Sequence, residues 1–410
     1  MILYGNGRAA LADDPSTADR LGWPRRRSSL ADPDVVLRRR DGNPCREPWI
    51  APPAWGRAPG PAALWRRPSP LPGWTYLAEP PGVDRYLRRL AEQPVPGGAV
   101  RVAIAGLGRV GGMAAAVLAA TPTRDSGISE LLISDSDPAN QERWRLELEA
   151  IGHWRRYFAL PRVRVCPPEQ VFNRCDVFLF AAADSVPPVG STEDVRMVQF
   201  APNRAILAPY LAFAAQAGFA GLFLVISDPV EWLALAAFRD SNTDARGRFT
   251  GAGLAPERLG GLALAVMWAR ALSRARLEGW EEQVSRRGAA FGPHSTEVLV
   301  FDDFQRPDPR RSAAVTESAR QGNLLVRAAG FLPWVAPGVT SVGLTLPRLL
   351  AGSEVLASIF LDGLYFGGPA RLQWALRPAV KALGAPVREQ VTELHARLAE
   401  RIPDLGLDFT

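Results

Sequence analysis

The sequence predicts an α/β fold in which a doubly wound parallel sheet is followed by an α+β domain. Between residues 98 and 235, short apolar segments rich in β-prone residues alternate with segments of helical spacing. That alternation is typical of parallel strands joined by crossover helices. Beyond residue 235 the pattern changes to longer helices, at Leu259–Leu277 and Val387–Arg401, mixed with strands such as Val298–Phe301.

The elements of the parallel sheet follow one another in a regular order. Val100–Ala105 is an apolar strand, and the alanine-rich segment Met113–Ala120 is predicted to be a helix. The same criteria predict four further strands and two further helices. The strands are Leu131–Ser134, Val163–Val165, Asp176–Ala181 and Leu222–Ser227, and the helices are Ala139–Ile151 and Asn203–Ala217. We therefore place the parallel-sheet domain at residues 96–235 and the α+β domain at residues 236–410.

Residues 1–95 differ in composition from the rest of the chain. They contain 15 of the 37 prolines and five of the 12 tryptophans. Runs such as Pro24-Arg25-Arg26-Arg27 are unfavourable for helices and strands. We predict a Pro/Trp/Arg-rich extension draped over the domain. The alternative is a recognition arm whose Trp and Arg side chains bind a partner.

The net charge of +6 is concentrated in that extension, where 15 arginines stand against 10 acidic residues. The remaining chain is nearly neutral, which argues against nucleic-acid binding. The three cysteines form no CxxC pair, a pattern that favours the cytoplasm. We see neither a signal peptide nor an apolar run of membrane-spanning length, and we expect no membrane association and no metal site.

The glycine turn Gly106-Leu107-Gly108-Arg109-Val110-Gly111 lies between a predicted strand and a predicted helix, the context that gives such a motif meaning. Gly106 permits the tight turn, Gly108 lets the backbone approach a pyrophosphate, and Gly111 lets the helix pack close to the strand. Backbone N–H groups at the helix start, at Arg109 and Val110, would face the phosphates. The turn predicts a Rossmann-type dinucleotide-binding domain, with a Rossmann domain that has lost its nucleotide as the alternative.

Asp135 ends the strand that follows this unit, 29 residues after Gly106. A carboxylate at that position binds the ribose hydroxyls and disfavours a 2′-phosphate. The expected cofactor is therefore NAD rather than NADP.

Several segments, in the right order, resemble the lactate/malate dehydrogenase family over roughly residues 98–405. The family has five corresponding segments. In order, they are the glycine turn, the strand ending in an Asn-Pro-Val-Asp turn, the Leu-Asp-Ser-Ala-Arg-Leu segment, the Gly-Glu-His-Gly-Asp segment and the active-site threonine segment. The segments here are Ile104–Gly111, Gly218–Glu231, Leu254–Leu259, Gly292–Val298 and Gly338–Ser341. The resemblance implies an α+β dehydrogenase-like second domain, and a homodimer or homotetramer.

The resemblance also implies roles for individual residues. His294 would be the acid/base, and it is the only one of the three histidines in a Gly-Pro loop before a strand. Arg258 would bind a substrate carboxylate. Arg196 would close over the substrate with the loop Val186–Glu193. Thr340 would belong to the active-site threonine segment.

Two positions depart from the family pattern. The family pairs its histidine with an aspartate, and Ala255 occupies that position here. Without this aspartate the imidazole loses a group that orients it and stabilises its charged form, so hydride transfer should be poor. The turn asparagine is replaced by Asp228, whose charge would repel an anionic keto acid. Asp228 could instead serve a cationic or neutral substrate, or partner His294 from another direction.

Three functional hypotheses remain open at this point. The first is an NAD-dependent oxidoreductase acting on a 2-keto or 2-hydroxy acid, or a related small molecule, in bacterial specialised metabolism. The second is a catalytically degenerate dehydrogenase-like protein that binds a peptide or a partner enzyme, for example in a modified-peptide pathway. The third is a cofactor-sensing regulator. The retained site features favour the first, whereas Ala255, Asp228 and the extension favour the second.

Overall fold

The structure is a computed structural model. It describes the backbone of six short strands between residues 2 and 77, and then most of the chain from residue 99 to residue 407. The described ranges in that second part are 99–184, 197–247, 253–361, 363–372, 376–379 and 383–407. Arg196 and the loop Val186–Glu193 lie outside the described residues.

The amino-terminal strands form a mixed sheet of their own, in the order β3-β1-β2-β4-β6-β5. The strands are β1 (Ile2–Gly5), β2 (Arg8–Ala12), β3 (Arg25–Arg26), β4 (Val35–Arg38), β5 (Ile50–Ala51) and β6 (Trp74–Leu77). The prediction that the arginine run after Pro24 is poor strand material was wrong, because Arg25–Arg26 pairs with β1 in an antiparallel ladder.

The main sheet has nine strands, in the order β17-β16-β15-β12-β11-β10-β7-β8-β9. Six of them are parallel: β7 (Val100–Ala105), β8 (Ile128–Ser134), β9 (Arg162–Val165), β10 (Val177–Phe180), β11 (Leu222–Val225) and β12 (Leu259–Gly261). Three antiparallel strands extend the sheet: β15 (Val355–Leu361), β16 (Leu364–Leu372) and β17 (Leu376–Pro378). The chain order reverses between β7 and β10, which makes the sheet doubly wound, as predicted.

Helices join and cover these strands. In the parallel half they are α1 (Arg109–Ala120), α2 (Thr123–Ser126), α3 (Pro138–Gly152), α4 (Phe200–Gln216) and α5 (Val230–Ser241). In the following half they are α6 (Leu264–Leu277), α7 (Glu281–Arg287), α8 (Pro309–Ala328), α9 (Thr345–Leu350) and α10 (Ala385–Glu400). A short separate hairpin pairs β13 (Ala289–Phe291) with β14 (Leu299–Phe301), and a π-helical segment, Pro337–Leu344, precedes α9.

Two predicted boundaries are displaced in the structure. Leu259–Leu277 is not one helix, because its first three residues form β12 and the helix begins only at Leu264. The parallel sheet also continues past residue 235, since β12 pairs with β11. The reason is local composition: Gly260 and Gly261 lie where an added Cβ would overlap neighbouring strands and α5, and a glycine pair at such a close approach favours a strand over a helix.

One large apolar core spans both halves of the nine-stranded sheet. It includes completely buried residues from the parallel strands, such as Ile104 and Phe223, together with Phe366 from β16 and Leu394 from α10. A second, smaller cluster lies between α6, α8 and the β13–β14 hairpin. Because the larger core is continuous, the carboxyl ends of β7, β10, β11 and β12 are held in fixed register with the loop that carries His294.

Candidate functional site

A cleft of about 1030 Å³ opens at the carboxyl ends of the parallel strands, beside the point where the strand order reverses. Open α/β sheets bind their ligands at this position. Its walls come from the parallel half and from α6, α8 and the segment around residues 332–341. Seven of the residues singled out from the sequence line it: Gly106, Gly108, Arg109, Val110, Asp135, Asp228 and His294.

The glycine turn has the geometry that a dinucleotide site requires. Gly106 has φ of +90°, and a Cβ there would overlap the backbone of Ala182. A Cβ on Gly111 would overlap the Gly106 carbonyl, so helix and strand pack through this pair. A Cβ on Gly108 would meet nothing within 4 Å, because that face of the turn is open to the cleft.

The peptide group of Leu107 is held from both sides. Its N–H donates to Asp135 Oδ2 at 2.6 Å. Its carbonyl accepts from Trp144 Nε1 at 2.7 Å and from Asn140 Nδ2 at 3.2 Å. Asp135 therefore ties the glycine turn to the end of β8. Its Oδ2 accepts a second hydrogen bond, from Asn140 Nδ2 at 3.0 Å, whereas its Oδ1 accepts one, from the Asp137 N–H, and keeps acceptor capacity.

These residues fit a dinucleotide. The open face at Gly108 is the space that a pyrophosphate needs, and α1 begins there with no side-chain cap on its first N–H groups. Asp135 lies on the cleft wall, where it can accept ribose hydroxyls. The fit extends from the turn to His294, which lines the same cleft.

His294 lies in the loop between β13 and β14, and two carboxylates hold it. Its Nδ1 lies 3.1 Å from Asp228 Oδ1. Its backbone N–H donates to Glu231 Oε2 at 3.1 Å, while Glu231 Oε1 accepts from the Ser358 hydroxyl at 2.6 Å. Burial raises the pKa of Glu231 to about 7. Two alternatives were considered for Asp228, and the structure has the one in which it partners His294.

Asn203, which sequence reasoning used only as the start of a helix, positions Asp228. It is completely buried on α4. Its Nδ2 donates to the Asp228 carbonyl at 2.7 Å, and its Oδ1 accepts from the Asp184 N–H at 2.8 Å. It thus ties together the chain segments that follow β10 and β11. An asparagine in the first turn of an otherwise largely apolar helix was the available signal.

Arg258 does not join the cleft, contrary to the prediction. Its guanidinium donates to the Ala220 carbonyl, just before β11 begins, and Arg258 itself directly precedes β12. Because β11 and β12 are parallel, this is the amino-terminal edge of the sheet, opposite the cleft. Arg258 is buried next to Glu257, whose pKa burial raises to about 8. The prediction was wrong because we matched Leu254–Leu259 to the family segment from its order in the sequence. That segment ends at the first residue of β12, whereas the helix that reaches the cleft, α6, follows β12.

Thr340 lies beside the cleft rather than on its wall. Its carbonyl accepts from the Thr345 hydroxyl at 2.6 Å within the helical segment, and its neighbours Pro337 and Ser341 supply the cleft-lining surface. Glycines of this segment pack on α1, where added Cβ atoms would overlap Met113 and Val117.

Three polar side chains on the cleft wall formed by α6 and α8 were not identified from the sequence. Arg270 comes from α6, and Asn323 and Arg327 come from α8. Asn323 and Arg327 follow Val315 and Ala319 at intervals of four residues, so they lie on the same face of α8 as these two buried residues. This spacing was the signal that could have identified them.

Five similar solved structures are lactate or malate dehydrogenases, whereas no family model and no curated protein matches the sequence. Malate dehydrogenase from Plasmodium falciparum is 13% identical, with a TM-score of 0.61, over 76% of this chain and 100% of its own. The minor L-lactate dehydrogenase from Enterococcus mundtii is 16% identical, with a TM-score of 0.60, over 75% and 98%. The protein has the lactate/malate dehydrogenase fold.

A third structure with this fold is malate dehydrogenase from Archaeoglobus fulgidus in complex with NADH, 17% identical with a TM-score of 0.59, over 75% of this chain and 99% of that one. The dehydrogenase fold expected from the glycine turn and the ordered segments is therefore confirmed. In the described part of the chain, no helix is long and apolar enough to span a membrane. Nor do the described residues include a cluster of three metal-ligating side chains.

Proposed function

We propose that the protein is an NAD-dependent oxidoreductase that interconverts a 2-keto acid, or a related carbonyl compound, and its hydroxy form in the cytoplasm. The observation that carries the proposal is the Asp228–His294 pair, at 3.1 Å, in the same cleft as an intact glycine turn. An imidazole with a carboxylate partner is a suitable proton donor for a carbonyl oxygen.

The residues of the chain divide the chemistry between them. A bound reduced nicotinamide supplies a hydride to the carbonyl carbon. His294 gives its proton to the carbonyl oxygen as negative charge develops there, and it removes that proton in the reverse direction. Asp228 stabilises the imidazolium form of His294 and fixes the ring. Glu231 holds the backbone of the loop, so that the ring stays directed at the cleft.

Calorimetric titration of the full-length protein with NADH tests the cofactor part of the proposal. We expect saturable binding, stronger for NADH than for NADPH because Asp135 lies where a 2′-phosphate would be. Absence of binding at millimolar NADH would contradict the proposal. The chemical part is tested by NADH oxidation with a panel of 2-keto acids, in which His294→Ala should remove turnover and leave cofactor binding intact.

A second candidate function is a catalytically degenerate protein that binds a peptide or a partner enzyme. One observation favours it: the amino-terminal strands form a six-stranded sheet of their own, separate from the nine-stranded sheet that carries the cleft. A pull-down with and without residues 1–95 tests this candidate. If the captured partners are unchanged, the extension is not a recognition element.

We also propose that the protein is a homodimer or homotetramer. In support, the end of α8 and the segment after it expose several large apolar side chains, among them Leu325 (67% exposed) and Phe331 (70% exposed). Apolar surface of this kind marks interfaces. Light scattering coupled to gel filtration measures the state, and a monomer at micromolar concentration would contradict the proposal.

A further inference from the structure

The far wall of the cleft carries positive charge and a buried amide oxygen that accepts no hydrogen bond from the described residues. This wall consists of the lining residues of α6, α8 and the segment 332–341. It contains Arg270 and Arg327, and its described lining residues include no Asp or Glu. The acidic lining residues belong to the parallel half: Asp135, Glu169, Asp184 and Asp228. The acidic lining residues thus all lie on one side of the cleft, and the opposite wall carries only positive charge.

Asn323 is the most informative residue on this wall. Its Oδ1 is buried and accepts no hydrogen bond from any described residue. A buried acceptor without a donor costs about 1–3 kcal/mol, so native proteins rarely keep one unless a water molecule or a ligand satisfies it. Asn323 faces a cleft wide enough for a ligand, and the group that satisfies a carbonyl-type oxygen is an N–H or O–H donor.

Arg327 lies four residues further along α8, on the same face as Asn323. It lines the same cleft and forms no ion pair with any described residue. The Cα–Cβ bonds of a helix tilt toward its amino terminus, so the Arg327 side chain leaves the helix on the side of the turn that holds Asn323. Arg270 packs across α8 beside this pair, where a Cβ on Gly322 would overlap it. The wall thus offers a hydrogen-bond acceptor next to a guanidinium.

We propose that this wall binds an amide N–H and an adjacent carboxylate, so that the ligand of the cleft is an N-acyl amino acid or the C-terminal residue of a peptide. Asn323 Oδ1 accepts from the amide N–H, and the Arg327 guanidinium pairs with the carboxylate, which a guanidinium binds in a two-pronged arrangement. In such a ligand the two groups are separated by one carbon atom, which suits side chains one helical turn apart. The proposal rests on the proposed function, in that a ketone group carried by the acyl part of the same ligand would be the carbonyl that reacts at His294.

Three small probes separate the contributions of the two groups. N-acetyl-L-alanine has both the N–H and the carboxylate. O-acetyl-L-lactate replaces the N–H by an ester oxygen, and N-acetyl-L-alaninamide replaces the carboxylate by a neutral amide. Their affinities for the full-length protein are measured by calorimetry, with and without saturating NADH. We expect N-acetyl-L-alanine to bind about tenfold or more tightly than either of the others.

Two variants assign those preferences to residues. Asn323→Leu should remove the preference for amide over ester and keep the preference for acid over carboxamide. Arg327→Gln should do the reverse. Arg310→Gln, an exposed position on the same helix outside the cleft, is the matched control and should change neither preference. Circular dichroism confirms that each variant is folded.

Three outcomes would each overturn the proposal. They are equal affinities for the three probes, preferences that survive both cleft substitutions, and no binding of any probe at millimolar concentration. Failure of the proposed function is distinguishable, because it is read from NADH binding and NADH oxidation in separate measurements. If NADH binds and is oxidised while the probes show no selectivity, the oxidoreductase proposal survives and only the ligand class is wrong.

Discussion

The His294 imidazole and the His294 backbone are held by different carboxylates. Asp228 contacts the ring, whereas Glu231 accepts from the main-chain N–H and is anchored in turn by Ser358. This division separates electrostatic stabilisation of the ring from positioning of its loop. The two effects can therefore be tested by different substitutions.

Asp228→Asn keeps the shape of the site and removes the charge opposite the ring. We expect keto-acid reduction to fall by about 10²-fold, because the imidazolium form loses its carboxylate partner. NADH affinity should stay unchanged. The rates are compared with those of Asp125→Asn, an exposed position on α2. A rate equal to that of the control would show that Asp228 does not assist His294.

Glu231→Gln should change how stability depends on pH. Burial raises the pKa of Glu231 from 4.5 to about 7, so the folded protein binds more protons than the unfolded chain between those values. Wild-type stability therefore falls, relative to Glu231→Gln, as pH rises through this window, and the difference is constant above it. Between pH 4 and pH 8, the free energy of unfolding of the wild type should fall by about 3 kcal/mol relative to that of Glu231→Gln. Urea unfolding of both proteins across this range measures it, and parallel curves would contradict the assignment.

At the residue scale, the sequence identified groups whose chemistry is unusual for their surroundings. The glycines, Asp135, Asp228 and His294 were found in this way, and the structure brings them to one cleft. Arg258 could not be placed correctly, because strand and helix were not separable around Gly260 from composition alone. Asn323 was missed since an asparagine near a helix end is ordinary until its burial is known.

At the scale of elements, the glycines of the turn serve two purposes that substitution can separate. Gly111→Ala should destabilise the fold by about 1–3 kcal/mol, because its Cβ would overlap the Gly106 carbonyl. Gly108→Val should leave stability nearly unchanged and weaken NADH binding by about tenfold or more, since the side chain would fill the open face of the turn. Thermal unfolding and calorimetry together measure both. Equal NADH affinity for Gly108→Val and wild type would argue against a pyrophosphate at this turn.

Five of the six parallel strands were predicted to within a few residues, because each is an apolar segment bounded by polar or glycine residues, whereas β12 was predicted as part of a helix. The amino-terminal strands β1–β6 were not predicted. Their pairing joins segments far apart in sequence, such as β4 with β6, and short strands of this kind have no strong periodicity. The local sequence thus predicts strands that are apolar throughout better than it predicts short strands that form only by pairing with distant segments.

At the scale of the whole molecule, the two halves share one sheet. The parallel half does not end at residue 235, because β12 completes it and then pairs with β15 at Gly261 and Ser358. The predicted division into domains therefore crosses a ladder of hydrogen bonds. A boundary in a shared sheet leaves no composition signal, since neither side of it is a linker.

A fragment comprising residues 96–235 should be largely insoluble when expressed alone. It would expose the edge of β11, whose four residues, Leu222 to Val225, are completely buried in the intact protein, and unprotected apolar edges aggregate. A fragment of residues 96–407 should be soluble because it retains β12 and β15. The soluble fraction after centrifugation is compared for the two. A soluble, monomeric 96–235 fragment would show that the halves fold independently.

The continuous sheet also limits how the cleft can move. Rotation of one half against the other would break the pairing of β12 with β15 and open the core that spans both. Hinge bending of the kind seen where two bodies meet at a flexible connection is therefore disfavoured. Changes in the width of the cleft must come from local shifts of the segments along its rim, on the timescale of loop motion. Asn323 and the His294 loop belong to elements that pack together, because α8 shares the smaller apolar cluster with the β13–β14 hairpin. If the proposed ligand spans both residues, their nearly constant separation makes the cleft select it by length as well as by charge.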